Sequence, residues 1–402
     1  MRLRNLLIII TLCGALLAAC SPSTPNEANT TTTPSPTVTE PATATVVNST
    51  TALTTSASSA FTTTQPQNGA SYPGKIAYTA VEKNSVNIFV MTPDRNFQKQ
   101  LTQGPGVSFQ PQWSPDGQWI AYFHYDSQKD ITTVWVVDGA GDTAPRLVSP
   151  AEGVKTASGL SWSPDDRYLV YQDLQPNSNQ RDIFRLDVTS GALVNLTTDS
   201  PKFDTLPTWS PDGKQIAFVS DRTNPTRGSD SIWVMGADGK SPRELTTKAR
   251  AWENTKPAWS PDGKQLAFYR WSLQKNFDAP GGPSGLWVID MASGKEQRLV
   301  DFTDWLPSDA PVWSPDGKLI AFDYGNQDNT DVWVVSTQGG KPTQISKLPG
   351  GEKNISWSPD SKAFVFTNFQ KDRLTLYLAK PDGSEPKPFF ETGGNGFGSW
   401  SR

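Results

Sequence analysis

Few side chains in this 402-residue chain are equipped for chemistry. His124 is the only histidine, so any His-dependent nucleophilic triad must include it, and no Gly-x-Ser-x-Gly elbow is present. It falls at the end of a short apolar segment and reads as a rim or loop-base residue. The two cysteines, Cys13 and Cys20, come close to excluding a disulfide-stapled fold or a Cys/His metal site. Asp323, Asp328 and Asp331 flank one loop and could face a hard cation, but aspartate is also what turns require. No catalytic residue, metal or cofactor is assigned. A net charge of −4 and a pI near 5.2 remove the electrostatic drive for nucleic-acid binding.

The aromatic residues say more. Of fifteen tryptophans, three fall outside the repeating pattern described next: Trp252, Trp271 and Trp305. Glu253, Arg270, Asp304 and Asp309 lie near them in sequence, together with a long loop containing Pro280-Gly281-Gly282-Pro283. Aromatic rings beside carboxylates suit a peptide or a carbohydrate, because both combine stacking with hydrogen bonding. The same residues could instead cap packing or hold the long loop down, and both readings stand.

The elements that would position these residues come from one recurring string. Trp113-Ser114-Pro115-Asp116-Gly117 returns with the same five residues at Trp209, Trp259 and Trp313. It returns at Trp162 with Asp166 for Gly, at Trp357 with Ser361 for Gly, and truncated at Trp400. Successive copies are 43 to 54 residues apart, a period of propellers and arrays. Each period reads as four strands. The first ends at the Trp, and Ser-Pro-Asp-Gly makes a tight turn. A second follows, such as Ile216-Ala217-Phe218, then a third, such as Ile232-Trp233-Val234-Met235. The fourth is short and edge-like, as in Leu101-Thr102 and Leu245-Thr246. Second and third strands also occur seven times, beginning with Ile76-Ala77-Tyr78. The expectation is an all-β, seven-bladed β-propeller of four-stranded antiparallel blades, its N-terminal blade completed by the C-terminal strand at Trp400. Twelve tryptophans then fill wedges between blades. The connection into a first strand and the loop between second and third strands emerge on one ring face, so Trp252, Trp271 and Trp305 should cluster there.

The cadence Trp-Ser-Pro-Asp-Gly, Ile-Ala-Phe, Ile-Trp-Val-Met and Leu-Thr resembles the TolB-type, WD-repeat-like propeller family from about residue 73 to the end. That resemblance implies a propeller and a protein-binding role, without a particular activity.

Ahead of the repeats, Arg2 and Arg4 precede an apolar run from Leu6 to Ala19 that ends in Leu17-Ala18-Ala19-Cys20. A positive start with a short apolar core is a secretory signal, and its last four residues resemble the bacterial lipobox, with Cys20 as the lipidated residue. Two or three acyl chains there would anchor the mature chain stably. The division expected is 1–19 signal peptide, 20–72 lipidated Cys and Thr/Ser/Pro-rich stalk, and 73–402 propeller. As a random coil the stalk would span roughly 35–40 Å.

The function expected is that of a monomeric, exported, membrane-tethered scaffold. It would be non-catalytic and bind a protein, peptide or envelope polysaccharide through its loop-bearing face. Glycan processing by funnel carboxylates such as Glu253, Asp304 and Asp309, or service as accessory or sensor subunit to an envelope protease or transporter, are the alternatives.

Overall fold

The computed structural model describes residues 72–401, apart from 83, 155–156, 176–177, 224–229, 247–251, 273–283, 304–306, 327–328, 371–372, 385, 393–395 and 397. The expected signal peptide and, apart from Tyr72, the expected stalk lie outside the described residues. Among those described there are 28 strands and no helix, so none is long and apolar enough to cross a membrane. The strands form three four-stranded and two eight-stranded sheets.

Within each repeat, neighbouring strands pair antiparallel in chain order, as the sequence led us to expect. In the Trp259 repeat these are Trp252–Trp259, Gln265–Ser272, Gly285–Asp290 and Glu296–Asp301. The eight-stranded sheets are two such sets joined by a single parallel residue pair, Val86↔Val107 in one and Thr330↔Gly351 in the other. At both joints a glycine with left-handed φ, Gly106 (+110°) or Gly350 (+97°), swings the chain into the next repeat's first strand. The first and last strands of the described residues also meet. Gly398–Trp400 pairs antiparallel with Ile76–Glu82, and Ser401 N donates to the Lys75 carbonyl at 2.8 Å.

Side-chain chemistry explains the recurring turn. In the Trp259 repeat Ser260 Oγ bonds Asp262 Oδ1 at 2.7 Å and accepts from Gln265 N at 2.9 Å, while Gly263 takes φ +69°. Asp166 and Ser361 occupy that left-handed position without being glycine, at φ +59° and +60°. Each is engaged by the preceding turn: Asp116 N donates to Asp166 Oδ1 and Asp316 N to Ser361 Oγ. The turn tryptophans pack between repeats and also tie them together. Trp162 Nε1 donates to the Gln112 carbonyl, Trp313 Nε1 to Ala258, Trp357 Nε1 to Val312 and Trp113 Nε1 to Ser399. The acceptor in each case is the residue just before another repeat's tryptophan.

The fourth strands end one residue earlier than the Leu-Thr pairs: Gln98–Gln100 stops before Leu101. Leu101 N still bonds the Ile88 carbonyl, but the next ladder position passes to a side chain, with Ile88 N donating to Thr102 Oγ1 at 2.9 Å. Thr246 does the same for Ile232. Five first strands carry a register shift before their tryptophan, with a left-handed residue inside it: Gln110, Gly159, Leu206, Lys256 and Asn354. Four of these are not glycine, so the backbone bends at a cost of about 1–2 kcal/mol each. Those bulges re-aim one side chain per strand.

Candidate functional site

The hairpin Trp252–Trp259/Gln265–Ser272 carries four of the sequence-derived candidates. Trp252 and Trp271 lie within its strands rather than in connections, because the ladder extends to Trp252↔Ser272. Glu253 sits opposite Trp271 and Asn254 opposite Arg270. Alternation along a strand therefore divides the candidates: Trp252 and Arg270 share one sheet face, Glu253 and Trp271 the other.

On the first face Arg270 is 3% exposed and held on several sides. Its Nη1 and Nη2 donate to Glu296 at 2.8 and 2.9 Å, and its Nε to Asn254 Oδ1 at 2.8 Å. The guanidinium lies 4.5 Å from the Trp287 ring centre and 5.3 Å from that of Trp252. This bidentate pair and cation–π stack tie all four strands of the repeat together.

On the second face Glu253 is half-buried. Burial, then the nearby Asp230 charge, pushes its carboxyl up to about 7 against the opposing pull of Lys256. Lys256 is the bulge residue of the same strand, at φ +56°. Its Nζ donates to the carbonyls of Pro307 and Ser308 at 2.5 and 2.7 Å, fastening the approach to the next repeat. Asp323 secures that approach from below: its Oδ2 accepts from Ser308 N and Oγ, and its Oδ1 from Asp309 N. Asp309 in turn accepts from Asn354 N at 2.5 Å, and burial and then Asp323 raise its carboxyl above the usual range. Two further groups belong here. The Tyr269 side chain is fully buried, feels Asp323 and Asp309, and its hydroxyl has no partner among the described residues. Asn354 Nδ2 is buried and likewise unpartnered.

Glu253 and Asp309 thus meet electrostatically around Lys256, whereas Arg270 and Trp252 belong to a packed stack. Asp304, Trp305, Asp328 and the Pro280–Pro283 stretch lie outside the described residues. The sequence reading passed over Lys256, Tyr269 and Asn354. The signal for Lys256 and Asn354 was there, since both stand three residues before a repeat tryptophan. Elsewhere, His124 Nδ1 lies 3.0 Å from Ser108 Oγ and burial lowers its pKa. Asp331 is bonded by Gln344 Nε2 at 2.6 Å. Among the described residues no three His, Cys, Asp or Glu side chains are grouped so as to hold a metal ion.

A model of the TolB beta propeller domain matches residues 66–279. The chain belongs to the TolB β-propeller family. This propeller is 25% identical over 218 residues to dipeptidyl-peptidase 5 of Porphyromonas gingivalis, covering 53% of this chain and 23% of that one. It is 27% identical over 140 residues to the Tol-Pal system protein TolB of Nitratidesulfovibrio vulgaris, covering 35% and 30%. The chain therefore spans less than a third of either relative. In three dimensions it is similar to an oligogalacturonate lyase solved in complex with manganese, at 20% identity and TM-score 0.59, covering 76% of this chain and 86% of that one. TolB propellers and enzymes thus share this architecture.

Proposed function

We propose that this chain is a non-catalytic recognition scaffold of the cell envelope, binding a peptide segment of a protein partner or an envelope polysaccharide at the Lys256 cluster. The carrying observation is that cluster itself. Glu253, Lys256 and Asp309 are partly exposed ionisable groups on a frame fixed by the Asp323-bound approach, with the buried Tyr269 hydroxyl and Asn354 Nδ2 beside them. A rigid strand frame presenting partly exposed ionisable groups is suited to recognition. In this reading the repeats make seven blades closed by the strand at Trp400. The interlocked indole bonds and the Ile76↔Trp400 pairing support that count and closure. Lipidation at Cys20 holds the propeller to the membrane through the stalk, and a Cys20→Ser variant should leave the membrane fraction.

The test is crosslinking and pull-down from intact membranes, comparing wild type with Glu253→Gln and Trp271→Ala. A protein captured by wild type and lost from the folded variants supports the scaffold. Equal recovery from all three removes the cluster from the interface.

A second reading is a glycan-processing enzyme with Glu253 as acid and Asp309 as its partner carboxylate. It is favoured by the carboxyl of Glu253 titrating near neutrality. Hydrolysis or cleavage of cell-wall polysaccharide by wild type and not by Glu253→Gln would establish it.

A further inference from the structure

A cleft lies at the turn end of the strands, between the Trp162 and Trp209 repeats. In most repeats the third-strand residue facing the second-strand Ala is a buried aliphatic one: Val90, Val136, Val234, Val288 and Val334 are all at most 3% exposed. In the Trp162 repeat that register position, opposite Val170, holds Arg185. Its guanidinium lies 4.7 Å from the Tyr168 ring centre and donates through Nη1 to the Ala237 carbonyl of the next repeat at 2.7 Å.

The cleft, of about 310 Å³, is lined by Asp165, Tyr168, Arg185, Trp209 and Asp212, with Pro164 and Gly213 beside them. Trp209, one of its walls, is 93% buried by its 7% exposure, and its Nε1 has no partner among the described residues. The same atom in Trp162, Trp259 and Trp313 bonds the preceding repeat. A charged residue at a position that is aliphatic in most repeats, a cleft and an unmet buried donor coincide at this joint.

We propose that this cleft binds a small zwitterion, an α-amino acid or dipeptide bearing an apolar side chain. Its carboxylate would meet the Arg185 guanidinium, which can present further N–H donors beyond Nη1. Its ammonium would lie toward the carboxylates of Asp165 and Asp212 on the two turns. Those carboxylates already accept from Ser163 Oγ and Ser210 Oγ and so are held in place, and the Lys214 ammonium, 3.8 Å from Asp212, is exposed and displaceable. The side chain would pack on Tyr168, Trp209 and Pro164. The volume is at the small end of ligand clefts, which favours one or two residues over a longer peptide.

The test is calorimetric titration of the full-length chain with phenylalanine and glycyl-phenylalanine, and with phenylalaninamide and N-acetylphenylalanine. The two zwitterions should bind, and each capped derivative should bind at least about tenfold more weakly, the size of a lost charge-assisted bond. Arg185→Val installs the residue of most other repeats, so it should fold with an unchanged or higher Tm and lose binding. Tyr168→Gln, the residue at that place in the Trp209 and Trp259 repeats, should weaken binding. No heat with either zwitterion, undiminished binding by Arg185→Val, or equal binding of the amide would each overturn the proposal.

Discussion

Arg270 tests whether the candidate residues are contacts for a ligand or part of the frame. Arg270→Ala removes a side chain that is 4% exposed and leaves Glu296, one quarter exposed, without its two short bonds. Breaking a buried ion pair from one side costs about 3–5 kcal/mol. The partial exposure of Glu296 moves this toward the lower end, and loss of the guanidinium between Trp252 and Trp287 adds about 1 kcal/mol. At a few degrees per kcal/mol, thermal unfolding followed by tryptophan fluorescence should shift down by roughly 5–15 °C. The Arg270→Ala/Glu296→Gln double variant should recover part of that loss, because the stranded charge is gone, giving a coupling of about 1–3 kcal/mol. Arg270→Lys should not rescue, since an ammonium cannot reproduce the fork onto Glu296 and the bond to Asn254 together. An Arg270→Ala protein melting within 2 °C of wild type while losing its ligand would refute the reasoning and return Arg270 to the binding surface.

Trp162→Phe should cost about 1–2 kcal/mol more than Trp209→Phe in urea unfolding. The first strands the Gln112 carbonyl, whereas the second removes a donor already without a partner. Glu352, fully buried between Ser346 Oγ and Asn368 Nδ2, has its carboxyl pushed up to about 8 by burial, with Asp331 adding to the rise. The folded state therefore keeps a proton that the unfolded chain gives up above about 4.5, so stability should fall as pH rises from about 4.5 to 8. A Glu352→Gln variant should flatten that decline in melting curves taken across the window. Glu253, raised to about 7, has the same sign. Ligand binding that uses its charged form should strengthen as pH rises through 7 and lose that dependence in Glu253→Gln, read by affinity at pH 6 and 8.

The repeat was legible because its signals are local. Ser260, Asp262 and Gly263 fix one turn with their own side chains and backbone, so a five-residue string carries the information. The division of the candidates was legible only in part. Alternation could have separated Glu253 and Trp271 from Trp252 and Arg270, had the strand been extended to Trp252. Reading Trp252 and Trp271 as loop residues hid it. That Arg270 is engaged by Glu296 depends on a fourth strand meeting the third through a register irregularity between Leu286 and Trp287, which no local pattern announces. Lys256 was passed over because a lysine in a strand reads as solvent-facing, and only the bulge turns it toward Pro307 and Ser308.

The pairing of Gly398–Trp400 with Ile76–Glu82 has a consequence in time. Lys75 and Ser401, which bond each other there, are 326 residues apart in the chain. At about 5–20 residues per second, the outer edge of the first strand stays unpaired for some tens of seconds during synthesis. An open edge invites pairing with other chains, so the yield of this protein should depend on what occupies that edge until the last strand emerges. Supplying the 398–401 segment ahead of residue 73 by circular permutation would shorten the wait to that of an ordinary hairpin.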